Sequence, residues 1–69
     1  MTTLYPGGEQ INGSLVEVYR GIKIYDVSRG TGYKYLALEP LKRGVKRNRH
    51  YAFANTMELA HNYIDNWQG

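Results

Sequence analysis

Residues 15–27 read LVEVYRGIKIYDV, and how this stretch is divided decides the fold. Val, Ile and Tyr crowd it and polarity alternates along it, the pattern of a half-buried strand. Gly21 interrupts the run. A glycine inside a strand pattern marks a bulge, a bend or a place where another backbone comes close. Past it, Ile22 and Ile24 point to one face while Lys23 and Tyr25 point to the other.

Towards the C-terminus, Ser28-Arg29-Gly30-Thr31-Gly32 reads as a turn whose glycines supply positive φ. Residues 33–39, YKYLALE, form the next expected strand. Leu36 and Leu38 share one face with Lys34, and Tyr33, Tyr35 and Ala37 share the other. Pro40 cannot donate to a ladder and ends it. Residues 50–54, HYAFA, make a short third strand. Asn55 reads as a helix N-cap with Glu58 in the capping-box position. The helix is expected to run to about Asn66, with Met57, Ala60, Tyr63, Ile64 and Trp67 on one face, and Gly69 follows as a stop.

Towards the N-terminus, residues 1–13 hold three glycines and one proline and read as a flexible arm. The expected architecture is therefore α+β: a three-stranded antiparallel meander over residues 14–69 with one C-terminal helix on one face, β-β-β-α. Ile22, Ile24, Leu36 and Leu38 are expected to face the helix. Lys23, Tyr25, Tyr33 and Tyr35 are expected on the helix-free face, open to water.

The chain has 69 residues, enough for one domain. At this size folding buries only about 60% of the surface that the unfolded chain exposes. There are no cysteines, so neither a disulfide framework nor a Cys-ligated zinc site is open to it. No apolar run approaches the roughly 20 residues that cross a bilayer. The opening MTTLYPGGEQ lacks the basic end and apolar core of a signal peptide, and the expected location is cytoplasmic.

Charge is distributed unevenly. The net charge is +3, yet Lys42, Arg43, Lys46, Arg47 and Arg49 place +5 within residues 42–49. The four remaining cations face all six acids, so the rest of the chain carries −2. A mildly acidic body with one strongly basic segment points to a polyanionic partner. Cations in a hairpin loop gain affinity by releasing counterions from phosphates, and Arg47 and Arg49 have the geometry for guanine edges. The competing reading is a solvated turn that aids solubility and blunts a sheet edge.

Tyr19-Arg20-Gly21 opening a strand, two more strands, and a helix reading Phe53…Thr56…Glu58…Ala60…Tyr63…Asp65 together resemble the AP2/ERF DNA-binding domain. The amino-terminal arm-binding domains of some phage and transposon integrases are similar in architecture. The resemblance spans about residues 19–66. It implies a three-stranded sheet inserted in the major groove, with Arg20, Gly21 and Lys23 as first-strand contacts. Tyr51 stands where that family has a third-strand tryptophan. Tyr25 stands where a contacting arginine is usual.

Catalytic patterns are missing from the sequence. His61 and Asp65, at i and i+4, read as a surface pair on the outer helix face. His50 adjoins the basic segment and adds charge at low pH. Ser14 and Ser28 lie in turns with no histidine nearby in sequence, and Gly30-Thr31-Gly32 precedes no helix, so it is no phosphate loop. The expectation is a non-enzyme without cofactor or metal. It would bind nucleic acid, foremost double-stranded DNA, with Lys42, Arg43, Lys46, Arg47 and Arg49 on phosphates and Arg20, Lys23, Tyr25, Tyr33 and Tyr35 at the groove. The alternative is a phage or mobile-element interaction module that docks its basic segment on an acidic host protein surface. Exposed edge strands are compatible with a monomer or a homodimer.

Overall fold

The computed structural model describes residues 2–6, 9–40 and 50–68. Five strands precede one helix: β1 (Thr2–Leu4), β2 (Ile11–Tyr19), β3 (Ile22–Asp26), β4 (Tyr35–Leu38), β5 (Tyr51–Ala54) and α1 (Met57–Gln68). The strands pair antiparallel in sequence order, so the chain is an α+β meander closed by a C-terminal helix. The expected class holds. The expected strand number, three, does not.

The extra strands arise in two places. Residues 15–27 are two strands rather than one. Tyr19 pairs with Ile22, and the two residues between them have φ of 53° at Arg20 and 83° at Gly21. Two successive positive φ values are the signature of a type I′ hairpin turn, whose twist matches that of the flanking strands. The N-terminal residues are the second place. Thr2–Leu4 pairs with Ile11–Gly13 and so contributes a strand where an arm was expected. Gly13 is what lets this layer close down. A Cβ there would lie 3.0 Å from Leu4 Cδ1, 3.1 Å from Tyr25 Cβ and 3.1 Å from Val27 Cγ1. A register shift between Leu15 and Glu17 leaves Val16 as a bulge, and a bulge bends its strand.

The sheet consequently buries apolar side chains on both faces. On the helix side, Ile22, Ile24, Ala37, Ala54, Ala60 and Ile64 form one cluster, bordered by Tyr19, Tyr35, Met57 and Trp67. On the other side, Leu4, Tyr25, Val27, Leu36 and Leu38 form a second, bordered by Ile11 and Phe53. Leu36 and Leu38 thus face away from the helix, which corrects their expected placement. The register sets Ile24 opposite Ala37 and Tyr25 opposite Leu36, so β4 is turned by one residue relative to the expected core. Alanines at 37, 54 and 60 let the helix lie close to the sheet, and the leucines fill the face that the N-terminal strand covers.

The helix begins one residue later than expected. Thr56 is the cap: its Oγ1 accepts from Leu59 N at 3.2 Å, and its carbonyl accepts from Ala60 N at 3.2 Å. Ala60 and Ile64 are buried, while Tyr63, expected in the core, is exposed. The 28–32 turn forms as expected. Asp26 Oδ1 accepts from Ser28 N at 3.0 Å and from Ser28 Oγ at 2.7 Å, and Gly32 takes φ 78°.

Candidate nucleic-acid interface

The five cations of residues 42–49 lie outside the described residues, but their attachment to the sheet is described. Glu39 N donates to the His50 carbonyl at 2.9 Å, extending the ladder one step past the Leu38–Tyr51 pair. His50 Nδ1 lies 3.1 Å from Glu39 Oε2, and its ring stacks on Trp67 at 5.4 Å between centroids. Glu39 and His50, on either side of the basic run in sequence, are therefore held together.

Lys23 is exposed on the helix-free face, in a cross-strand row reading Val18, Lys23, Leu38, Tyr51. It lines a shallow hollow with Tyr5, Leu38, Glu39 and Pro40. Pro40 is the residue from which the basic run departs, so Lys23 adds a sixth cation at the foot of that run.

The other expected contacts are dispersed. Tyr25 is only 7% exposed and packs under Leu4, so little of its ring is open, although it lines the same hollow as Lys23. Tyr35 turns to the opposite face, half-buried against the helix-side cluster, with Lys34 Nζ 5.5 Å from its ring centroid. The helix-free face is open to water only in part, because β1 and Ile11 close it over Tyr25 while Lys23, Tyr33 and Tyr51 stay exposed. Tyr33 is 45% exposed and separates from Tyr35, since the chain enters β4 only at Tyr35 and Tyr33 stacks on Phe53 at 5.2 Å.

Arg20 sits in the β2–β3 turn, not in a strand, and its guanidinium is engaged. Nη1 donates to Asp65 Oδ1 at 2.8 Å, and Gln68 Nε2 donates to the Arg20 carbonyl at 2.8 Å. His61 and Asp65 face β2 instead of solvent. His61 stacks on Tyr19 at 3.9 Å with rings 9° apart, and its Nε2 pairs with Glu17. Tyr19 Oη donates to Asp65 at 3.0 Å. The Arg20 guanidinium beside Asp65 holds that carboxyl below the ordinary aspartate value, and the Asp65 hydrogen bond pushes the Tyr19 hydroxyl up. This cluster ties the hairpin tip to the last turns of the helix. Among the described residues no three His, Asp or Glu side chains are grouped so that they could hold a metal ion.

Tyr51, singled out above only through the resemblance, and Phe53 form an aromatic pair that the expected contact set leaves out. Both lie on β5 at i and i+2, on the helix-free face, with centroids 6.2 Å apart and planes at 84°. The signal was present in YAF, a period-2 aromatic pair directly after the cations. No helix among the described residues is long and apolar enough to cross a membrane. Comparison with known proteins finds no matching family model, no matching curated protein and no matching solved structure.

Proposed function

We propose that this chain is a small nucleic-acid-binding domain whose basic segment grips the phosphate backbone. One observation carries the reading: five cations and no acid within residues 42–49, on a chain that is otherwise net negative. Lys23 stands at the foot of the segment and extends the positive field. Phosphate anchoring needs charge and reach rather than a buried pocket. The side chains first expected to read a duplex groove supply little of that task, because Tyr25 is buried, Tyr35 faces the helix and Arg20 is paired with Asp65.

The test is binding as a function of salt. Five phosphate contacts on duplex DNA give a log–log slope near −4.5, so raising salt from about 50 to about 200 mM weakens binding on the order of 10²–10³-fold. Changing Lys42, Arg43, Lys46, Arg47 and Arg49 together to Ser abolishes it. Affinity that is flat with salt, or unchanged in that variant, refutes the reading.

A second reading, contact with an acidic protein, has its own observation. Residues 14–19 of β2 pair with β3 on one side and with no described strand on the other. Leu15, Val16 and Val18 stand about half exposed along that edge. A partner strand added there would satisfy the edge backbone. Stoichiometric protein binding that survives the five-serine variant favours this reading over the first.

A further inference from the structure

We propose that the nucleic acid is single-stranded, with bases stacking on the exposed rings of Tyr51 and Tyr33, which Phe53 holds in place. This rests on the nucleic-acid reading above and names its ligand class. The three rings form a ridge. Tyr33 stacks on Phe53 with 29° between planes, and Tyr51 meets Phe53 edge-on from the other side. The outer two rings are 45% and 43% exposed, and the half-buried Phe53 between them anchors the ridge to the core.

Position and charge favour the same ligand. β5 is the last strand of the sheet, and Tyr33 and Tyr51 beside it stay exposed. The chain enters β5 directly from Arg49 and His50, which puts the cations and the first ring on adjoining residues. Glu17, Asp26 and Asp65 are engaged elsewhere, with His61, Ser28 and Arg20, and Glu39, the one acid beside β5, is paired with His50. Glu58 is on the helix and Glu9 precedes β2. In a duplex the base faces are already stacked on one another and are closed to protein rings. A single strand offers both its phosphates and its π-faces.

The experiment compares a labelled oligothymidylate of about 15 nucleotides with a hairpin duplex of equal phosphate number, by anisotropy at about 50 and about 200 mM salt. The proteins are the parent, the double variant Tyr33→Ala/Tyr51→Ala, and Tyr33→Phe/Tyr51→Phe, each shown to be folded by circular dichroism. The parent binds the single strand more tightly than the duplex. The alanine pair weakens single-strand binding roughly 10- to 100-fold and leaves duplex affinity and the salt slope unchanged. The phenylalanine pair keeps the parent's affinity. A parent that prefers the duplex, or an alanine pair that binds oligothymidylate like the parent, overturns the stacking ridge and leaves the phosphate-binding reading standing. Failure of the parent to bind either nucleic acid at the lower salt overturns both.

Discussion

Arg20 holds a left-handed backbone conformation and places its guanidinium 2.8 Å from Asp65, which lies on the helix 45 positions later. A non-glycine residue at positive φ is unfavourable by itself, and Asn or Gly is usual at this position of a type I′ turn. Here the helix supplies the compensation, through Asp65 on the side chain and Gln68 on the carbonyl. Arg20→Asn therefore keeps the turn, while Asp65→Ala leaves Arg20 and Tyr19 without their shared acceptor and lowers the denaturant midpoint. Because the guanidinium serves the fold, Arg20→Asn leaves the salt dependence of nucleic-acid binding unchanged. A phosphate-contacting arginine would reduce the salt slope by about one. Urea melts and salt-titrated anisotropy on the two variants check both statements.

Acid acts on the same contact. The Asp65 and Asp26 carboxyls are held below their ordinary value, Asp65 chiefly by the Arg20 guanidinium and Asp26 by the Ser28 amide and hydroxyl. A depressed native pKa contributes stability that is fully present above the unfolded value, about 4, and is lost as pH falls through the lower native value. Tyr19 has the opposite sign. Its raised native pKa contributes stability below about pH 10 that is lost as pH climbs through the native value. Urea midpoints should thus be insensitive to these three groups across neutral pH and fall at both extremes. Asp26→Asn should flatten part of the acid limb, and an acid limb identical to the parent's would contradict the role given to Asp26.

Leu4 is 5% exposed in the cluster that closes the helix-free face. Removing a buried leucine side chain costs about 2–5 kcal/mol, whereas truncation in a loose arm costs close to nothing. Leu4→Ala should therefore destabilise markedly. Gly13→Ala should do so by overpacking, about 1–3 kcal/mol, because its Cβ has no room beside Leu4, Tyr25 and Val27. Chemical denaturation of both variants measures how firmly the N-terminal strand is docked. A Leu4→Ala midpoint equal to the parent's would show the strand to be a bystander.

These residues also explain what the sequence could disclose. Alternation in Ile22–Asp26, the Ser28–Gly32 turn and the helix with Ala60 and Ile64 inward were legible, since each rests on a local pattern. The Arg20-Gly21 turn was not, because its stability comes from Asp65 and Gln68, more than 40 residues away. β4 reads YLAL, apolar at every position, so period-2 logic has no polar face to orient it, and only pairing with β3 fixes which side meets the helix. Glycine and proline made the N-terminus look loose, yet Gly13 is there because two layers touch at it. Of the candidate site, the charge run is compositional and was visible at once. Among the aromatics, Tyr33 was expected to be exposed and is, whereas the burial of Tyr25 and the exposure of Tyr51 were not legible, because they depend on which part of the face the N-terminal strand covers.

The outer edge of β2 yields the last prediction. Residues 14–19 present unpaired strand backbone beside Leu15, Val16 and Val18, and Glu17, the one charge in that run, is turned inward to His61. Natural edges are protected by outward lysines, prolines, bulges or inward charges, and between Ser14 and Tyr19 this one has the Val16 bulge and the inward Glu17 but no lysine or proline. The parent should accordingly self-associate as concentration rises, through antiparallel pairing of β2 with its copy. Val18→Lys places a charge on a side chain that is 56% exposed but directly opposite Lys23, so the fold should lose on the order of 1 kcal/mol while association is suppressed. Sedimentation velocity over a concentration series separates the cases. Association that persists in Val18→Lys would move the contact to another surface, and a parent that stays monomeric throughout would mean that this edge is tolerated without a partner copy.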